Sequence, residues 1–577
     1  MRRIALVWLI ASACKTAPAM SVEPRACASC HPGEAARWRG SHHDRAMEVA
    51  TPATVLGEFG GASFGGARFE RDGAGFVIAT AGERLRVRYT FGVAPLQQYL
   101  VERPGGRLEA FPIGWDTRSR AWFRVPSEEL PSRYQTWNTM CAECHSTGVD
   151  KGYDPVADRF DTRFDDVNVG CQACHAGGAR HAADPTQPIE ASTAPEACAP
   201  CHARRSAITT SGTTAGTTSG ATTGATFFDR YRPMTLQAGL YFPDGQILDE
   251  VFEYGSFAQS AMHERGVRCV DCHDPHSGRT PDGNAVCTQC HGAAPPARFP
   301  GLAHRASNVD SPAHHHHQPG SAGARCVACH MPERTYMQID RRRDHSLRIP
   351  RPDLSVTLGT PNACTQACHA DRDARWAAAT VAAWFPGAKP AHYGEVFDRA
   401  RRARRARPAR PGEASPDELQ RIATDRGQPA IVRATAYELL FALPAACLAS
   451  APAGLADPSP LVRSTAVACG EHLAPGARAA FAGAALRDPV RVVRIEAARI
   501  LAGVALPAAD RAAFAAARRE LEDAYRADLD RPEGWFNLAT LAEAEARRGD
   551  AVAHYRKALA IDPDFLPARV NLDQLAR

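Results

Sequence analysis

Seven times along this chain of 577 residues, two cysteines three positions apart are followed at once by a histidine. These stretches are Cys27–Cys30–His31, Cys141–Cys144–His145, Cys171–Cys174–His175, Cys198–Cys201–His202, Cys269–Cys272–His273, Cys287–Cys290–His291 and Cys326–Cys329–His330. An eighth, Cys364–Cys368–His369, carries one extra residue between its cysteines. Cys-x-x-Cys-His is the attachment signature of a c-type haem, in which two thiols add to the vinyl groups and the adjoining imidazole binds the iron. A zinc or disulfide framework is the competing reading, but zinc does not require a histidine directly after the second cysteine of every pair. The eight motifs account for all of the 19 cysteines except Cys14, Cys447 and Cys469. Eight covalently attached haem c groups are therefore expected. Motifs this closely spaced cannot enclose separate cores, so the haems must pack against one another.

The rest of the composition adds little. A net charge of +5 is small for this length and points to no nucleic-acid partner. The N-terminus has the form of a signal peptide over residues 1–19. Arg2 and Arg3 precede an apolar run from Ile4 to Ala13, too short to span a bilayer, and Ala17-Pro18-Ala19 offers a cleavage site. In the alternative, Ala11-Ser12-Ala13-Cys14 is a lipobox that leaves Cys14 acylated, and only then is a membrane involved. Either way the expected destination is the periplasm, the cell surface or the medium. There Cys447 and Cys469 could form a disulfide or remain two buried thiols.

The expected fold class is mainly α: a loop-rich multihaem domain with a small β insertion, followed by an α-solenoid tail. The haem domain spans 20–375. Within it, residues 58–125 alternate apolar and polar side chains between glycine pairs and read as a β-rich insertion, and 207–226 form a low-complexity loop. Residues 376–414 read as a linker, basic from Arg399 to Pro411. Over 415–510, Val432-Arg433-x-x-Ala436 recurs as Val462-Arg463-x-x-Ala466 and Val493-Arg494-x-x-Ala497, which suggests HEAT-like helix pairs. Over 511–577, Trp535, Leu538, Ala551, Tyr555, Ala558 and Pro563 fall at tetratricopeptide (TPR) spacing.

Certain stretches resemble multihaem cytochromes of the cytochrome c-554 (c-552/4) type. They are Cys27-x-x-Cys-His with Trp38-x-x-Ser-x-His43-x-x-Ala-Met47, Trp137-Asn-x-Met-Cys-Ala-Glu-Cys-His145, Val169-Gly-Cys-x-Ala-Cys-His175 with His181, and Gly266-Val-x-Cys-x-Asp-Cys-His-Asp-Pro-His276. Cys329-His330-Met331-Pro332 is similar to the last haem site of pentahaem nitrite reductases. The resemblance implies a mainly helical domain shaped by haem stacking. It assigns His43, His181, His276 and His345 as distal iron ligands, with His304, His314 and His317 as the next candidates. The wider group holds both electron carriers and enzymes. The spare histidines favour six-coordinate iron and hence electron transfer in a respiratory chain. The expected partners are other cytochromes or a quinol-oxidising complex, with the repeat tail for docking. The alternative is a multihaem oxidoreductase acting on nitrogen or sulfur oxyanions, or a hydroxylamine-type enzyme, with one open haem. No Cys-x-x-Cys-Lys is present, so a lysine-ligated catalytic haem is absent. The catalytic residues stay unassigned, and the thinnest supply of ligands is around His145, His175 and His202.

Overall fold

The computed structural model describes residues 24–125, 135–189, 191–210, 226–292, 294–300, 302, 309–405 and 415–576. The signal peptide, Cys14, His304 and most of the low-complexity loop lie outside the described residues. No helix among those described is long and apolar enough to cross a membrane.

The β region is larger than the sequence suggests. Nine strands form one nearly closed antiparallel sheet. They are β1 (Met47–Val49), β2 (Ala62–Phe64), β3 (Ala67–Asp72), β4 (Gly75–Ala79), β5 (Arg84–Phe91), β6 (Leu96–Arg103), β7 (Arg107–Ala110), β8 (Ile113–Asp116) and β9 (Ala121–Arg124). The order is β2-β3-β4-β5-β6-β8-β9, with β1 on β5 and β7 on β6. Phe64 pairs with Ala67 across Gly65 and Gly66, whose φ of 60° and 84° give a two-residue turn that a side chain would strain. Inward residues Phe69, Phe76, Ile78, Leu85 and Val87 surround Phe59, Tyr99 and Trp115. "Small insertion" understates this element, which has its own aromatic core.

The sheet also places two motif segments. Pairing of Met47 with Phe91 draws the chain after His43 onto β5. Asn138, just before Cys141, is buried; its side chain accepts from Leu108 N (2.8 Å) and donates to Gly106 O (3.2 Å) and Thr162 Oγ1 (2.9 Å).

The C-terminal part is helical and is not a separate arm. Leu236, Tyr241, Ile247 and Tyr336 share one continuous core with Phe397, Leu419, Ile431 and Tyr437. The stretch expected to be a linker holds helices Ala374–Trp384 and Tyr393–Arg405. Phe397 and Ala400 of the second are buried. Its cations are paired, Arg399 with Glu418 at 2.8 Å and Arg401 with the carbonyl of Tyr241 at 3.1 Å.

The recurring Val-Arg has a physical cause. Arg433 clasps Asp457 with two hydrogen bonds (3.0 and 2.9 Å), Arg463 clasps Asp488 (2.7 and 2.9 Å), and Arg494 clasps Glu520 (2.9 and 2.7 Å). Each guanidinium reaches from one helix to a carboxylate of the next unit, just before the following helix for Asp457 and Asp488 and inside the helix Ala508–Arg526 for Glu520, in the bidentate geometry that arginine favours. Cys447 and Cys469 are joined in a disulfide between neighbouring helices, with Cα atoms 5.5 Å apart.

Arg433 and Asp457 are 4% and 5% exposed. Asp457→Ala strands a buried cation and is expected to cost roughly 3–5 kcal/mol, seen as earlier loss of helical circular dichroism in denaturant. Asp161→Ala, at an exposed pair with Arg163, should stay within ~0.5 kcal/mol.

Candidate functional site

Each motif is wound into one tight turn. His31 N donates to Cys27 O (2.9 Å), His145 N to Cys141 O (3.1 Å), His175 N to Cys171 O (3.0 Å) and His273 N to Cys269 O (2.9 Å). This i to i+4 closure brings the first thiol and the imidazole to one side of the backbone. In the expanded motif His369 N reaches Cys364 O at 2.9 Å, so the extra residue is absorbed in a wider turn with the same ends joined.

The imidazoles then meet histidines from elsewhere in the chain. Ring centres lie 6.4 Å apart in His31–His181, His43–His202, His175–His276 and His273–His345, and 6.2 Å apart in His314–His330 and His317–His369. That is too far for contact between stacked rings. It suits a metal ion between two ring nitrogens with bonds of roughly 2 Å each.

Hydrogen bonds at the other ring nitrogen free the outer one. Nδ1 donates to the carbonyl of Ala46 from His145 (3.0 Å), of Gln187 from His181 (2.9 Å), of Gly278 from His273 (3.0 Å), of Arg348 from His330 (2.8 Å), of Arg343 from His345 (2.9 Å) and of His315 from His317 (2.5 Å). From His202 it donates to a carboxylate, Glu253 Oε2, at 2.9 Å. Burial lowers the pKa of His145, His276, His291, His314 and His345, and takes His43 to about 4, helped by the charges of His202 and His42. Neutral imidazole is the form that binds metal.

Among the described residues no three His, Cys, Asp or Glu side chains converge on one point, so the arrangement is of opposed pairs and not of zinc-type cages. One continuous cavity of about 4280 Å3 touches cysteines of all eight motifs. An ordinary single-ligand pocket is on the order of 300–1000 Å3. Opposed imidazoles, freed outer nitrogens and a shared cavity fit a set of haems. The motif histidines and those opposite would hold iron, and the cysteines would hold the ring. A haem so held supplies one-electron redox chemistry.

Mutual effects between the cysteines of different motifs, with one side-chain bond, show which motifs are neighbours. Cys201 lowers the pKa of Cys144 and is itself raised by it. Cys269 lowers Cys198, and Cys198 raises Cys269. Cys287 lowers Cys326 to about 7. Burial and then Cys27 raise Cys171 to about 12. Burial and then Cys364 and Cys368 raise Cys329 to about 11. Gln289 Nε2 donates to Asp271 O at 3.0 Å, joining the fifth and sixth motifs, and Cys174 acts on both Cys198 and Cys201. The series runs first, third, fourth, fifth, sixth, seventh, eighth, with the second motif branching from the fourth.

The remaining histidines fall into place around this series. No second imidazole faces His145 or His291 among the described residues; the edge of Phe91 lies 5.5 Å from His145. His304 is outside the described residues. His316 stacks on Trp384 at 4.3 Å, and His263 lies beside Phe257 at 5.4 Å, opposite no motif histidine. Sequence reasoning missed Glu253, which no motif marks, and the tail residues Asp528, Arg531 and Glu533 that line the cavity. Asp530, next to them, holds Thr139 and Lys151 beside the second motif.

A family model described as cytochrome c554 and c-prime matches residues 26–56 and 117–176. These segments carry the first three motifs, and the unmatched stretch between them contains β2 to β8. The match supports a c-type cytochrome with covalently attached haem c and a role in electron transfer. No curated protein and no solved structure matches the chain.

His43→Ala should leave the number of covalent haems unchanged, since no thioether is touched. It should turn one low-spin ferric signal high-spin in electron paramagnetic resonance. The same change at His42, the exposed neighbour with no opposed ring, should alter neither.

Proposed function

We propose that the chain is an exported octahaem c-type cytochrome. It passes electrons through closely packed haems in a respiratory chain, most of them held between two histidines. The observation that carries this reading is the set of six opposed imidazole pairs, His31–His181, His43–His202, His175–His276, His273–His345, His314–His330 and His317–His369. An iron held by two imidazoles would have no place for a substrate and would favour a low potential. The closeness of neighbouring motifs along one shared cavity supports haems near enough for electrons to hop. The closed turn at Cys364–His369 supports an eighth haem. His304 is the proposed partner of His291. The leader at 1–19, or acylation at Cys14, sends the protein to the periplasm or cell surface, where haem attachment takes place. The HEAT-like and TPR-like repeats brace the haem domain along their shared core and offer the opposite face to a redox partner.

A second reading keeps one open haem, at His145. The observation in its favour is the phenyl edge of Phe91 in place of an opposed imidazole, with the Glu250 and Arg342 charges acting on the same histidine. On this reading the protein reduces or oxidises a small nitrogen or sulfur compound at the side branch of the series.

Mass spectrometry of protein matured in a cytochrome c-competent host is expected to show eight covalent haems. Seven would leave the expanded motif empty, and three or fewer would refute the haem reading. For an electron carrier, low-spin signals dominate the oxidised protein, a partner cytochrome reoxidises it rapidly, and nitrite, hydroxylamine or tetrathionate reoxidises it slowly or not at all. Rapid, saturable reoxidation by one of these, with a high-spin signal, selects the second reading.

A further inference from the structure

The fourth motif is the junction of the series. It lies against the second motif, with Cys144 Sγ 3.8 Å from Pro200 O and 3.9 Å from Cys201 O, Cys201 Sγ 3.8 Å from Glu143 O, and Arg205 on the Glu143 carboxylate at 2.7 Å, and Cys198 neighbours Cys269 of the fifth and Cys174 of the third. It is also the site where the ligand's second bond differs. Of the opposed imidazoles whose Nδ1 partner is described, His181, His273, His317, His330 and His345 donate to backbone carbonyls. His202 alone donates to a carboxylate, Glu253 Oε2, at 2.9 Å.

The fold holds Glu253 in place from the segment that carries His202. Arg204 N donates to Val251 O (3.2 Å), and Arg204 Nη1 donates to Glu250 O (3.0 Å). Beyond Glu253, Phe257 N donates to Glu253 O (2.9 Å). The residue between, Phe252, sits at φ 61°, a left-handed conformation that an aromatic side chain seldom adopts. Its ring lies 5.9 Å from the Arg342 guanidinium. Such a conformation persists only where the surroundings over-determine it, and it turns the chain so that Glu253 faces His202.

We propose that Glu253 is a positioning residue for the junction haem, holding the haem between His202 and His43 at a lower reduction potential than its neighbours with carbonyl-bonded ligands. This rests on the bis-histidine reading above. A carboxylate on Nδ1, the nitrogen turned away from the iron, makes the imidazole a more basic ligand, and a more basic ligand stabilises ferric over ferrous iron. The couple remains one electron per iron, with the Nδ1 proton retained on His202. An electron crossing the molecule thus meets a less favourable site where the side branch joins than at the carbonyl-bonded fifth motif beside it.

The test uses the full-length haem-loaded protein. Mass spectrometry first locates a haem on Cys198 and Cys201; its absence from the parent refutes the haem reading itself. In Glu253→Gln, one low-potential component of a spectroelectrochemical titration should move positive. At fixed potential its ratio of reduced to oxidised haem should rise tenfold or more, ~59 mV for one electron. One low-spin resonance signal should shift with it. Glu253→Asp, which keeps the carboxylate, should restore the parent values more closely than Gln. Glu250→Gln, which removes a nearby charge paired with Arg342, should leave that component in place. An unmoved titration in Glu253→Gln overturns the proposal. So does an equal shift in Glu250→Gln, which would make the effect one of charge alone, and so does loss of the haem from both Glu253 variants.

Discussion

An imidazole opposite another across 6.2–6.4 Å brings together parts of the chain distant in sequence. His43 meets His202 and His175 meets His276, each pair tied to a metal-sized gap and not to a shared apolar surface. The haem region has few long helices and small apolar clusters of its own, Ala199, Ala203, Phe227 and Tyr231 among them. Cofactor-sized space takes the place of side-chain core, and the backbone carbonyls around it are spent on aiming ring nitrogens. The short turns of the motifs follow from this. They need only be stiff enough to present two thiols and one nitrogen, and a single helical turn does that.

What was legible in the sequence was local. Cys-x-x-Cys-His is closed by one bond from the fifth residue to the first, so its chemistry lies within five letters. Which histidine faces which motif was not legible, because each pair spans a long and variable loop. His314 and His317 show the limit well. A run of four histidines announces ligands, but only the fold selects the two ends, sends His316 against Trp384, and bonds His315 to His317. The sheet was undersized for a different reason. Its first strand is only three residues long, and β6 carries Gln97 on the face that Tyr99 and Val101 fill, where alternation predicts an apolar side chain. Gln97 is fully buried because it bonds Leu56 N (2.8 Å) and Thr54 O (2.9 Å), standing in for a strand that is not there. The arginine-rich stretch near residue 400 looked like solvated linker for a similar reason. Its charges are satisfied by groups distant in sequence, and the apolar face of Phe397 is hidden among them.

The helical tail and the haem region are one body. Arg491 N bonds the Asp229 carboxylate at 2.7 Å, Thr209 bonds Asp523 at 2.9 Å, and Tyr393 bonds the Asp244 carbonyl at 3.1 Å. The ladder of Arg433, Arg463 and Arg494 keeps the helix pairs in register along this seam. Each cation of the row ties one helix to a carboxylate of the unit that follows.

The four histidines 314–317 act as a yoke. One end reaches the seventh motif through His330 and the other the eighth through His369, with one turn of backbone between them. Between the two, His317 Nδ1 donates to His315 O, which ties the second ring to the backbone of the same turn. The seventh and eighth motifs are thus faced from a single short segment, so a substitution in that segment would reach both sites at once.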